Sequence, residues 1–97
     1  MRKRFNVGKY YERTKVGGDL DAVVVKNRHP AFPLANEPYC TRSQEVSYRE
    51  RTSNLEVARC HQYLRLDNTL GLSGKPDPKR LYEGGVLYRL TKATPSE

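Results

Sequence analysis

The chain has 97 residues, so we expect one hydrophobic core and no mechanism shared between domains. Lys and Arg number 18 against 11 Asp and Glu, which gives a formal net charge of +7, and hydrophobic residues make up 36%. The longest uninterrupted apolar run, residues 22–25, is far shorter than the roughly 20 residues of a membrane-spanning helix. Asn6, Lys9 and Glu12 stand where a signal peptide would be apolar. We therefore expect a cytoplasmic protein that does not bind membranes.

The first half of the chain favours strands. Its apolar residues lack a sustained helical period, and Tyr and Val cluster in short runs separated by Gly, Asn and Pro. Residues 4–14 and 20–27 are predicted to form a hairpin through Gly17 and Gly18, which adopt positive φ readily. Because residues 22–25 are apolar on both strand faces, we expect them to be buried in a central strand. The three prolines within residues 29–38 predict a loop.

Residues 43–54 fit two structures. The sequence Thr41-Arg42-Ser43-Gln44 matches a capping box, which begins a helix, whereas Val46 and Tyr48 alternate with polar residues as in a strand. A strand is favoured, with a turn at residues 52–54. Residues 55–66 are then predicted to form the longest strand, and residues 80–82 and 86–90 a hairpin around Gly84 and Gly85.

These elements predict a mainly β fold. We expect a small single domain of about three antiparallel hairpins over residues 1–91, followed by a disordered tail at residues 92–97. The alternative is an α+β fold with one helix near residues 43–54.

Positive charge is concentrated at the start of the chain. Residues 1–16, here called the N-terminal segment, contain six basic groups and one acid, Glu12, and so hold +5 of the net charge. Basic groups near phosphates release condensed counterions, which favours binding to polyanions. One of Tyr10 and Tyr11 is expected to face outward among these cations. The segment is therefore predicted to contact nucleic acid.

A second candidate surface follows from strand alternation in residues 58–66. Ala58, Cys60, Gln62, Leu64 and Leu66 would form a core face, and Arg59, His61, Tyr63 and Arg65 the opposite face. Arg suits phosphate, Tyr suits base stacking and His suits proton transfer near neutral pH. A solvated sheet face with no binding role also fits this pattern. The two flanking arginines predict a mainly neutral His61 near pH 7.

The cysteines and histidines do not predict a metal site. Their spacing has no zinc-binding pair, and the adjacent Cys60 and His61 would point to opposite faces of a strand. Cys60 is expected to be a buried free thiol. No cofactor is expected, because phosphate-binding and nucleophile motifs are absent from the sequence.

We expect a small nucleic-acid-binding protein that favours single-stranded or structured RNA over duplex DNA. The first alternative is a protein-interaction module, which could be homodimeric, with an acidic partner. The second is a metal-independent endoribonuclease of toxin type, with His61 as the candidate catalytic residue. Catalysis is not the favoured interpretation, because sequence places no second acid or base beside His61. The predicted nucleic-acid-binding residues are Arg2, Lys3, Arg4, Lys9, Tyr11, Arg13, Arg59, His61, Tyr63, Arg65 and Lys75.

Overall fold

The computed structural model describes residues 1–28, 38, 40–71 and 74–89. Within these residues, five antiparallel strands form one sheet in chain order, and two short helical segments precede them. The mainly β class is confirmed. The predicted loop at residues 29–38 lies, apart from Pro38, outside the described residues, as does the predicted tail. The elements are helix α1 (Arg2–Val7), a 3-10 helix (Glu12–Thr14), β1 (Leu20–Arg28), β2 (Arg42–Glu50), β3 (Glu56–Leu64), β4 (Asp77–Glu83) and β5 (Val86–Arg89).

The ambiguous region forms strand β2, so the helical alternative is wrong. Val46 and Tyr48 are buried on one face, as their alternation predicts. Gln44, the last residue of the apparent capping box, accepts a hydrogen bond from Gln62 of β3 at 2.9 Å instead of capping a helix. The turn that follows contains Asn54 at φ 61°, and β3 returns beside β2 with Ala58 opposite Tyr48.

The N-terminal segment is helical, so the predicted strand at residues 4–14 is wrong. Met1 and Phe5, four residues apart, are both buried and therefore lie on one face of α1. The Phe5 ring packs 5.7 Å from the rings of Tyr10 and Tyr48. Packing against the sheet therefore decides the conformation here. The core comprises Met1, Phe5, Tyr10, Leu20, Val46, Tyr48, Ala58, Cys60 and Leu81.

Strand β1 forms where expected but in a different place in the sheet. It lies at the edge beside β2, and residues 21–28 are all exposed, so the predicted buried central position is wrong. The centre belongs to β3, whose core face carries Ala58 and Cys60 under the N-terminal segment.

The last hairpin is confirmed, with Gly84 and Gly85 both at positive φ in its turn. Strand β4 begins three residues earlier than predicted, at Asp77. The strand can include Pro78 because β4 pairs with β5 only from Arg80 onward. The missing N–H of Pro78 therefore faces no partner strand on that side. Lys79 is an extra residue in the β3–β4 register, since Arg80 faces Arg59 and Pro78 faces Cys60.

Candidate functional site

The two faces of the sheet differ sharply. One holds the core and is covered by the N-terminal segment. The opposite side, here called the polar face, carries Ser43, Glu45, Ser47, Arg59 and His61. The alternation expected for β3 is confirmed at its centre, where Cys60 is fully buried in the core and His61 lies on the polar face, half-buried.

His61 lies in a polar contact cluster near the end of β3. Its Nε2 is 2.8 Å from the Ser43 hydroxyl of β2, and the centres of the His61 and Tyr63 rings lie 4.7 Å apart with the two rings nearly perpendicular. Burial, and next the positive charge of Lys79, lower the pKa of His61, while Asp77 and Glu45 act in the opposite direction. A mainly neutral imidazole is therefore supported, although burial is its main cause and not the two flanking arginines.

Positive charge converges on this part of the sheet. A cleft of about 440 Å³ is lined by His61 and Tyr63 with Lys26, Arg28 and Lys79. An adjoining cleft of about 320 Å³ shares His61, Tyr63 and Lys79. We call the surrounding cations the cationic corner; they come from α1, β1, β4 and the segment before β4, and are Arg2, Lys26, Arg28, Lys75 and Lys79.

Two carboxylates contact cations of the corner but do not neutralise its positive charge. Asp77 accepts hydrogen bonds from Arg2 and Lys79, both at 2.8 Å, and Glu45 lies 3.6 Å from Lys26. Burial raises the pKa of Asp77, but the hydrogen bonds from Lys79 and Arg2 outweigh it and hold that pKa below its ordinary value. Among the described residues, Arg28 forms no ion pair. The corner therefore keeps an excess of positive charge.

Arg59, predicted to bind phosphate, is held in an ion-pair network. Its guanidinium lies 2.8 Å from Glu56 and 3.8 Å from Glu45. Glu56 also accepts a hydrogen bond from Ser47 at 2.7 Å. Burial raises the pKa of Glu56, but the hydrogen bonds from Ser47 and Arg59 together have the larger effect, and the pKa lies below its ordinary value. The middle of the polar face is thus internally compensated, and Arg59 serves mainly to organise it.

The remaining predicted site residues are dispersed. Arg65 follows β3 at its end, where its backbone N–H bonds to Thr69. Lys75 lines the second cleft. The N-terminal segment packs on the core side of the sheet, away from His61, yet Arg2 reaches the corner around the edge of β4 that β5 leaves unpaired.

Most other cations of the N-terminal segment contact protein groups. Arg13 donates two hydrogen bonds to Asp19, at 2.8 and 2.7 Å, and lies over the Tyr10 ring. Arg4 lies 3.5 Å from Glu83 and over the Tyr88 ring.

The last cation of the segment is also in contact with a protein group. The ammonium of Lys15 lies 4.2 Å from the centre of the half-buried Tyr11 ring. Lys3 and Lys9 are exposed on this side. The segment is therefore folded onto the domain and does not extend as a free basic arm.

Sequence reasoning missed Lys26, Arg28, Ser43 and Lys79. Lys26 and Arg28 face Glu45 and Ser43 across the β1–β2 pair, which places them on the polar face. That placement depends on a bulge between Val24 and Lys26, which changes the alternation along β1. The spacing of Lys26 and Arg28 by two residues indicated that they share one strand face. Without the register of β1 against β2, it did not indicate which residues lie beside them.

No family model, curated protein or solved structure matches this chain. In the described ranges, no three His, Cys, Asp or Glu side chains are grouped so as to hold a metal ion. No helix there is long and apolar enough to span a membrane.

Proposed function

We propose that the protein binds single-stranded or structured RNA at the cationic corner. The observation that carries the proposal is the convergence of five cations from four separate segments around His61 and Tyr63. Cations fixed by a fold around a cleft provide phosphate contacts with little loss of side-chain freedom on binding. An aromatic ring among them offers a stacking surface for an unpaired base.

RNA is favoured over duplex DNA on structural grounds. The longer of the two described helical segments, α1, has six residues and buries Phe5 against the sheet, so it does not serve as a recognition helix in the major groove. A sheet face that presents Tyr63, His61 and cations resembles other sheet surfaces, which bind unstacked bases through aromatic side chains. The proposed partners of the protein are therefore nucleic acids with unpaired segments.

The decisive experiment measures fluorescence anisotropy of a labelled single-stranded RNA at several salt concentrations. The double variant Arg28→Gln, Lys79→Gln removes two phosphate contacts, so the slope of log K against log salt should fall in magnitude by about 1.4, at about 0.7 per contact. The matched control Lys3→Gln, Lys9→Gln removes the same charge from the core side and should leave the slope unchanged. A larger loss in the control than in the corner variant would move the interface to the N-terminal segment, and wild-type protein without affinity would reject the proposal.

One observation favours RNA cleavage as a second candidate function. The Ser43 hydroxyl and the neutral His61 imidazole are in hydrogen-bond contact in the cleft that Lys79 also lines. His61 would take the proton of a ribose 2′-hydroxyl as that oxygen bonds to phosphorus. The bond from phosphorus to the 5′-oxygen then breaks, and the Lys79 ammonium supplies the proton to the leaving oxygen. The products are a 2′,3′-cyclic phosphate and a 5′-hydroxyl, and their formation in EDTA tests this candidate.

A further inference from the structure

The outer edge of β1 is an exposed strand edge. β1 has nine residues and pairs with β2 on one side, and no strand among the described residues pairs with the other. Val23, Val24 and Val25 are 39%, 47% and 38% exposed at its middle. Unpaired backbone N–H and C=O groups beside exposed β-branched side chains form a template for the addition of another strand.

The charges along β1 specify which strand fits. Asp21 lies near its beginning and Asp19 directly precedes it, whereas Lys26 and Arg28 lie at its end. In an antiparallel pair of two identical strands, the beginning of one lies beside the end of the other. Acidic residues then meet basic residues at both ends of the contact, while valines meet near its centre. A parallel pair would instead place like charges side by side.

The side chains needed for this match share one face. Asp21 faces Arg49, Lys26 faces Glu45 and Arg28 faces Ser43 across the β1–β2 pair, and all of these project from the polar face. The bulge at Val25 bends β1 and limits the length that pairs continuously. A contact of this kind is short and therefore weak, so the dimer forms only at high protein concentration.

We propose that two copies of this chain associate antiparallel along β1, through a two-fold axis, so that their two sheets join into one continuous sheet. The contact is isologous, because the same strand supplies both sides. It is independent of the RNA-binding proposal, and its single-substitution variants are therefore placed at the acidic end of β1 and at Val23, outside the cationic corner.

The test is sedimentation velocity of the full chain over a range of protein concentrations without nucleic acid. Wild type should shift from monomer to dimer as concentration rises. Asp21→Lys should weaken association at least about tenfold, because the ammonium introduced at this position then faces Lys26 of the other copy. The swap Asp21→Lys, Lys26→Asp should restore association, since it exchanges the charges but keeps them opposite. Restoration is specific to an antiparallel contact between copies.

Two controls separate the contact from effects within one copy. Asp21 also bonds to Arg51 at 2.9 Å, so Arg51→Ala removes that internal pair and should leave the dimer unchanged. Val23→Lys should abolish the dimer while circular dichroism retains the strand signal. A monomer at all concentrations overturns the proposal, as does a dimer that persists in both Val23→Lys and Asp21→Lys. Capture of an unrelated extended peptide along β1 by a protein that stays monomeric also overturns it.

Discussion

Cys60 and His61 are adjacent on β3, yet the thiol is completely buried beneath the N-terminal segment while the imidazole lines a charged cleft on the other side of the sheet. One strand therefore supplies the centre of both the core and the candidate site. Substitutions on the core face are expected to change stability, and those on the polar face to change binding, which allows the two to be tested separately.

Phe5→Ala tests the docking of α1. The Phe5 side chain is 1% exposed, stacks on the Tyr10 ring and packs against the Tyr48 ring, so its removal should lower the free energy of unfolding by about 3–5 kcal/mol. Val7→Ala, on the exposed side of the same helix, should change it by no more than about 0.5 kcal/mol. Urea unfolding monitored by circular dichroism measures both. Equal effects would show that α1 does not pack on the sheet in solution.

The two thiols should react at very different rates. Burial raises the pKa of Cys60 to about 12, so the protein interior both shields this thiol and keeps it protonated. Cys40 is half-buried and also free. An aromatic disulfide reagent at neutral pH should modify Cys40 first, and Cys60 only at the rate of unfolding, with Cys40→Ser isolating the slow reaction. Rapid reaction of Cys60 in that variant would contradict the core assignment.

The depressed pKa of His61 predicts opposite effects of acid on stability and on RNA binding. Burial is the main cause of the lowered pKa. As pH falls below about 6.5, the unfolded chain therefore binds a proton before the folded chain does. The contribution to stability is complete above that pH and falls as pH drops toward the folded-state pKa. Protonation also adds a cation to the corner, so RNA affinity should rise over the same interval. His61→Gln should flatten both profiles relative to wild type, and a profile identical to wild type would exclude His61 as the titrating group.

His61→Ala distinguishes binding from catalysis. One neutral side chain contributes little beside several phosphate contacts, so RNA affinity should stay within about tenfold of wild type. If the chain cleaves RNA, the same change should lower the single-turnover rate by about 100-fold or more, because proton transfer acts in the transition state. We expect the binding outcome without cleavage. Metal-free cleavage by wild type that is lost in His61→Ala would reverse this expectation.

Local patterns were sufficient for the strands with regular alternation. Val46 and Tyr48 predicted β2, Cys60 and His61 predicted the two faces of β3, and the glycine pair predicted the final hairpin, because each depends on neighbours in sequence. Helix α1 was not predictable in this way. A helix of six residues has little stability of its own and forms here because Phe5 packs against the sheet.

The cationic corner required information that no local pattern contains. Arg2 approaches Asp77 across 75 positions of the chain, and Lys26 reaches the polar face only through the bulge in β1. Strand order in a sheet is likewise set by pairing between distant segments, which is why an apolar run was placed at the centre and is found at the edge. The chemistry of His61 was visible in sequence, but its neighbours were not.

The core also imposes an order in time on the newly made chain. Phe5 packs in the same cluster as Leu81, which is made after it. At about 5–20 residues per second, synthesis separates the two by roughly 4 to 15 s. During that interval the sheet lacks β4, so α1, although translated before every strand, completes its native contacts only after Leu81 has been made.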